Sequence, residues 1–367
     1  MEKKFSQLGA MLAITKASFK AQLKSPSALV FGFVFPLFFI LIFGSGMVGM
    51  PQTKFRLSST TDTSSTFYKI LDTSKQFNQV RHITNLQKVT DSLLKGNVSA
   101  IISIKKNSKD STNYIVTIQA SKANEKNVDF VKMVFQSIFY NLQRFNNAYF
   151  KETYTLNIAP SIGDRVYKSI DFHLPGQLGF SLLSAGLFGV AFLFFNLRDT
   201  LVLKRLNATP IKKPFIILGE CLARVMFQLV IVTLIILLGR LLFNFTLVNG
   251  MATFGALLIL SFIGLVVFMG FGFVISGAAK SINTVPVLTN LIGFPQFMLS
   301  GTFFPYEGLP KFLHPICKSL PLTHLNIALR KVAFEGLPLV TCLPEIGILL
   351  LWTIVIYAIA FKIFKWE

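Results

Sequence analysis

Apolar residues in this chain gather into long uncharged runs, one near the N-terminus and several filling the second half. The first run, residues 25–53, contains no charged side chain. It exceeds the roughly 20 apolar residues that cross a bilayer core. A largely polar block follows over residues 54–171, and apolar runs then continue almost to the C-terminus. Charge-free windows predict six membrane helices at residues 28–50, 174–196, 215–243, 251–275, 285–304 and 346–361. The layout predicts an α-helical polytopic membrane protein with six transmembrane helices and one inserted domain. Its expected parts are a cytoplasmic amphipathic N-terminal segment (1–27), a first span (28–50), an extracytoplasmic α+β domain (51–173) and the remaining five helices (174–367).

Charge fixes the expected orientation. An even number of spans puts both termini on one side. That side collects Lys16, Lys20, Lys24, Arg198, Lys204, Arg205, Lys212, Lys213, Lys280, Lys362 and Lys365, while the loop 244–250 carries no charge. The positive-inside rule makes the basic side cytoplasmic, and long domains translocate regardless of their own charge. The first run is too long for a signal-peptide core and lacks a small-residue cleavage site, so a retained helix is expected. With 52% hydrophobic and 14% charged residues, the chain departs from soluble composition. Its formal charge of +20 is spread over every polar segment, which argues against nucleic-acid binding. Cys221, Cys317 and Cys342 lie far apart, with neither a disulfide framework nor metal-ligand spacing.

Inside the polar block, helix and strand periods alternate. A helical face over residues 86–94 ends at Gly96, period-2 alternation follows at 98–104 and 114–118, and a helix is expected over 124–150. The seam on that last helix, including Phe135 and Ile138, suits packing against the sheet. His82 and His173 stand without partners at ligand spacing.

Two segments carry mechanism. After the second predicted span, Arg198-Asp199-Thr200-Leu201-Val202-Leu203-Lys204-Arg205-Leu206 runs on through Thr209-Pro210. It is basic, amphipathic and ended by proline, a pattern that lies along a membrane surface. Glu220 and Arg224 follow four residues apart at the start of the third span. Late in the chain, Phe294-Pro295 leads to Ser300-Gly301-Thr302-Phe303-Phe304-Pro305, then to Pro321-Leu322-Thr323-His324 and Leu329-Arg330. A helix broken by Pro and Gly at membrane depth persists only where its backbone is buried in protein or lines a wet cavity. Residues 305–337 therefore read as a re-entrant or interfacial hairpin on the outer side. Small residues repeat every fourth position at Ser181, Ala185 and Gly189, and again at Gly272 and Ser276. Such stripes serve either a permease–permease interface or close packing within the chain.

These two segments, at their places in a layout of one span, an insert and five spans, resemble the permeases of ABC-2 type transporters. There the coupling segment usually reads Arg-Glu, a Gly-Thr-Leu step, a basic-Leu pair and Thr-Pro; Leu201 and Val202 stand here at the Gly-Thr positions. The resemblance implies an ABC-2, type V exporter-like fold in which residues 198–213 couple to an ATPase through Arg198, Asp199, Lys204, Arg205, Leu206, Thr209 and Pro210. Glu220, Arg224, Ser300, Gly301, Phe304, Pro305, His324 and Arg330 are candidate interface or gate residues, with His324 and Arg330 suited either to lipid phosphates or substrate or to a structural role at the interface. The resemblance further implies a cytoplasmic ABC ATPase subunit and a second permease chain, either identical or paralogous. No cofactor or metal is expected on this chain, ATP and Mg belonging to the partner.

The residues themselves agree on one point. Gly272, Gly277, Lys280 and Ser281 only echo a P-loop, because Ala278 and Ala279 part the glycine from the lysine. The chain is therefore not expected to be an enzyme. An ion-coupled secondary transporter would place carboxylates inside its spans, and Glu220 and Glu345 lie near their ends. A permease-like scaffold in a larger envelope machine is the other alternative. Walls of Phe, Leu and Met favour an amphipathic or lipid-like cargo moved out of the cytoplasm or inner leaflet. A bacterial cytoplasmic membrane is the expected location, with membrane lipids around the spans and the outer domain free to meet periplasmic or outer-membrane partners.

Overall fold

The computed structural model describes residues 6–44, 55–57, 61–62, 64–65, 67–69, 93, 100–107, 113–121, 132–133, 135–140, 153–162, 168–202, 205, 209–306 and 309–363. The chain divides into two compact units, residues 1–48 with 169–367, and residues 49–168.

The first unit is a helical bundle. Among the described residues five helices are long and apolar enough to cross a membrane: Pro26–Gly44, Ser169–Asp199, Lys213–Phe243, Met251–Ala278 and Leu339–Ile363. A sixth, Thr284–Leu299, has 16 residues and spans about 24 Å, short of a bilayer core of about 30 Å. It ends at the break foreseen in the sequence, where Gly301 adopts a φ of +75°. A helix Gln7–Leu23 precedes the first span, with Ser6 Oγ accepting from the Gly9 amide as its N-cap. Two short helices, His314–Ser319 and Pro321–Ala333, form the hairpin after the break, and proline stands in the first turn of both.

The second span starts at Ser169, five residues before the expected position 174, because Asp171 and His173 interrupt the apolar run without interrupting the helix. Asp171 is fully buried: its Oδ1 accepts from the Thr246 amide at 2.9 Å and its Oδ2 from the Thr246 hydroxyl at 3.2 Å. The carboxylate thereby holds the turn between the third and fourth spans. Asn244, the expected breaker, ends the third span in the left-handed region at φ +52°. The last span also extends beyond its predicted start, through a single 3₁₀ turn at Leu339–Cys342.

The second unit is the α+β insert. Its described strands are β1 (Phe55–Leu57), β2 (Ala100–Lys106), β3 (Asn113–Ser121) and β4 (Thr153–Ile162), in the order β1-β2-β3-β4. β2 and β3 pair antiparallel, with Ile102 opposite Ile118 and Ile104 opposite Val116. β1–β2 and β3–β4 are parallel, so each needs a crossover connection. Part of the expected long helix supplies the core of the second crossover: Phe135 and Phe139 are buried against Phe67 and Tyr154, with Phe139 stacked on Tyr154 at 5.4 Å. Ile138 of the expected seam is partly buried against the same core; the seam positions 128, 131, 142 and 145, the helix before Gly96 apart from buried Leu93, and His82 lie outside the described residues. The sequence reading missed β1 and β4. In β4, Tyr154, Leu156 and Ile158 do alternate, but Asn157 and Pro160 are poor strand formers.

Candidate functional site

The ends of the spans bring one set of polar residues together. Arg198, in the last turn of the second span, donates through Nη2 to the Ala279 carbonyl at 2.7 Å, just past the fourth span. Arg198 also lies 5.2 Å from the Phe195 ring centroid. At the same end, the glycine Cα of Gly277 packs on the Ile363 backbone of the last span. Asp199 is exposed and Thr200 Oγ1 bonds back to the Asn196 carbonyl at 2.6 Å. Leu201 then turns the chain with a φ of +57°, the conformation a glycine takes without strain. That is the physical sense of a glycine being usual at this step. The amide of Arg205 donates to the Leu201 carbonyl at 3.0 Å, so a helical turn follows, with Arg205 exposed. Thr209 and Pro210 are exposed, and Lys204 and Leu206 lie outside the described residues.

The N-terminal helix clasps this loop. The Gln7 side chain donates Nε2 to the Pro210 carbonyl at 2.7 Å and accepts at Oε1 from the Lys212 amide at 3.0 Å. The helix then runs beside the third span. Thr15 Oγ1 reaches the Gly219 carbonyl at 3.1 Å, and Ser18 donates to Glu220 Oε1 at 2.7 Å. Gly219 permits this approach, since a Cβ there would meet the Met11 carbonyl at 3.0 Å. Gln7 and Ser18 were invisible as site residues in the sequence, because nothing in a short polar tail names the carbonyl it will meet.

Farther along the third span, Arg224 donates Nη1 to the Ala185 carbonyl at 3.2 Å, and Gln228 donates Nε2 to Ser181 Oγ at 2.6 Å. Glu220 and Arg224 share a helix face and are drawn to different partners, Ser18 and Ala185. The stripe Ser181-Ala185-Gly189 faces this helix within the same chain. A Cβ at Gly189 would stand 1.9 Å from Arg224 Nη1, so the missing side chain is what houses the guanidinium. Gly272 likewise packs on the second span, where a Cβ would meet the Gly186 carbonyl at 2.7 Å.

At the opposite end lies the break. The carbonyls released where Thr284–Leu299 stops need donors, because buried backbone without a partner is costly in a membrane. Asn326, fully buried, donates Nδ2 to the Ser300 carbonyl and to Thr302 Oγ1, each at 3.2 Å. Arg330 donates to the Gly301 carbonyl and, through Nε and Nη2 at 3.3 Å, to the Phe172 carbonyl. Its guanidinium also lies 3.8 Å from the Phe172 ring centroid. A positive group therefore completes the negative end of the helix. The second span passes close by at Gly176 and Gly179, where a Cβ would meet the Thr302 carbonyl at 2.4 Å and Asn326 Oδ1 at 2.3 Å. Ser300, Gly301 and Arg330 thus form one cluster, with Asn326 the member that sequence reasoning missed.

The other predicted residues turn elsewhere. His324 Nε2 pairs with the Lys318 carbonyl at 2.7 Å within the hairpin, Phe304 is exposed, and Pro305 is partly exposed. Beside the break, Phe303 lies 5.1 Å from Phe39, and Phe180 lies 4.9 Å from Phe35 and 4.4 Å from Phe297. This aromatic wall joins the first, second and fifth membrane helices. Among the described residues no group of His, Cys, Asp and Glu has the makings of a metal site.

The sequence profile of a family described as ABC-2 family transporter protein matches residues 26–362. Over 191 residues, 50% of the chain, the sequence is 27% identical to ABC transporter G family member 20 from Dictyostelium discoideum. The chain covers 26% of that relative's length.

Proposed function

This chain belongs to the ABC-2 transporter family and is a multi-pass membrane protein of the permease type, and from that premise we propose that it is the membrane half of an ATP-driven exporter. A separate cytoplasmic ABC ATPase docks on the basic end of the bundle and supplies the energy. Two permease chains, identical or paralogous, assemble with two ATPases. The basic end faces the cytoplasm of a bacterial cell, with both termini on that side and the insert outside the inner membrane. The cargo is amphipathic or lipid-like, in keeping with the aromatic wall of Phe35, Phe39, Phe180, Phe297 and Phe303.

One observation carries the docking assignment: the loop after the second span is tied on one side to the end of another span and on the other to the N-terminal helix packed beside a third. Arg198 binds it to the end of the fourth span, and Gln7 binds it to the N-terminal helix that runs on beside the third. A push on Asp199, Arg205 or Thr209 therefore reaches three spans through hydrogen bonds and rigid helices. The exposure of Asp199 and Arg205 leaves them free for a partner surface.

The test is co-expression with a candidate ATP-binding cassette subunit, followed by purification, ATPase assay in lipid nanodiscs and an export assay in sealed proteoliposomes with a fluorescent amphipathic probe. A stable complex is expected, and Asp199→Ala or Arg205→Ala is expected to keep ATP hydrolysis while cutting export at least tenfold. Normal export by both variants would remove the loop from the coupling path.

A further inference from the structure

Two spans contain a π-turn, and a single helix reaches both. The wide turns cover Val30–Val34 in the first span and Ser184–Phe188 in the second. A π-turn holds one residue more than an α-turn, and groups within it leave the regular ladder. The first is set by Pro36, which has no N–H for the Gly32 carbonyl four residues before it and whose ring would crowd that carbonyl in a regular α-helix; the second has no proline within reach, so its support comes from neighbouring side chains.

The third span supplies that support. Gln228 donates to Ser181 Oγ, and Ser181 donates in turn to the Gly32 carbonyl inside the first π-turn. One helical turn away, Arg224 donates to the Ala185 carbonyl inside the second. The donors are four residues apart and their targets on the second span are four residues apart, so two antiparallel helices meet in register. Gln228 and Ser181 are fully buried, and Gln228 Oε1 and Arg224 Nε each remain without a partner. A spare acceptor and a spare donor at the two pins allow an exchange of partners within the bundle.

The second π-turn is also packed too closely for side chains. A Cβ at Gly186 would meet the Met269 amide nitrogen at 2.9 Å, and one at Gly272 would meet the Leu187 carbonyl at 3.0 Å. One turn before Arg224, Glu220 takes the hydrogen bond of Ser18, so the N-terminal helix acts on the same rigid rod that carries both pins.

We propose that Arg224 is a positioning residue that holds the second π-turn, and that transport releases it, so that the second span re-registers by one residue beyond that turn, while Pro36 keeps the first turn wide and Gln228, through Ser181, serves the carbonyl that the proline frees. One residue of α-helix corresponds to about 1.5 Å of travel and about 100° of rotation. Release turns a different face of Gly189–Asp199 toward the interior. The trigger rests on the reading of the chain as an ATP-driven permease; the pins and the change of register do not.

The test uses the full chain in membranes, with Cys221, Cys317 and Cys342 replaced by alanine and paired cysteines introduced for cross-linking. The Phe194 and Phe273 rings lie 4.7 Å apart by centroid and the Phe35 and Phe180 rings 4.9 Å, so these positions face each other; because a disulfide needs Cβ atoms about 3.5–4.5 Å apart, the introduced cysteines are joined with a short bifunctional thiol reagent. In Arg224→Met, linkage of position 273 is expected to move at least threefold from 194 to 193 or 195. In Ser181→Ala, linkage of position 180 to 35 is expected to stay parental, because Pro36 fixes the first turn. Arg224→Lys, which keeps a donor, should retain the parental pattern. Parental linkage of position 273 in Arg224→Met overturns the proposal, and if that variant fails to accumulate, Arg224→Leu decides in its place. With the ATPase present, vanadate trapping of the parent should reproduce the shift. A shift in the variant without one on trapping would keep the pin and refute the trigger.

Discussion

Replacing Arg330 by methionine keeps the length of the side chain and removes every donor from it. The variant loses the bonds to the Gly301 and Phe172 carbonyls and the cation over the Phe172 ring. A hydrogen bond to a charged group contributes about 1.5–3 kcal/mol, and a partly buried cation–π contact about 1 kcal/mol. The Gly301 carbonyl sits in a turn with φ +75°, where the helix ladder offers it no amide. The expected cost is about 3 kcal/mol, or a fall of roughly 6–12 °C in the melting midpoint of a unit this size. Arg330→Lys keeps a charge for the helix end but loses the fork that spans two carbonyls, so it should fall between. The assay is thermal unfolding of the purified chain in one detergent, followed by size-exclusion recovery of the monodisperse peak. A midpoint for Arg330→Met within 2 °C of the parent, where roughly 6–12 °C is expected, would show that the break is held by something else.

Other positions give separate tests. Leu201→Gly should raise the melting midpoint, since a left-handed non-glycine residue costs about 1–2 kcal/mol; a lowered midpoint would mean that the Leu201 side chain contributes packing that outweighs its backbone strain. Gly272→Ala should lower stability by about 1–3 kcal/mol, because its Cβ would meet two backbone carbonyls. Gly255→Ala, in the same helix with open space around it, should instead gain about 0.5–1 kcal/mol; equal effects at both sites would contradict the packing described. Asp171→Ala should free the turn at 244–250 and speed its proteolysis in the folded protein, whereas an unchanged cleavage rate would show that Thr246 does not depend on the carboxylate.

The spans were legible because a bilayer imposes a length and a composition that few other environments demand. The break after Leu299 was legible for a related reason: Pro295 and Gly301 are costly in an apolar helix, so their presence announces compensation nearby. The compensating groups were not legible. Asn326 serves a carbonyl 26 residues away and Gln228 a hydroxyl 47 residues away, and local periodicity carries no record of such pairings. Ser181, Ala185 and Gly189 announced a close approach, while the helix approaching them could be known only from the fold. Pro36 is the trace of the first π-turn, since it leaves the Gly32 carbonyl without an amide, whereas Ser184-Ala185-Gly186-Leu187-Phe188 reads as ordinary membrane helix. In the insert, β2 and β3 were legible from strict alternation. β1 is three residues long, and Pro160 masked β4.

The central claim, that a partner ATPase drives the bundle through the loop after the second span, is tested most directly by site-specific photo-crosslinking. A benzoylphenylalanine placed at Leu201 or Arg205 in the co-expressed complex is expected to form an adduct with the ATP-binding subunit, with a yield that changes on vanadate trapping. The same probe at Leu241, at the far end of the third span, should form none. ATPase adducts from Leu241, or a stable complex with no adduct from either loop position, would contradict the account.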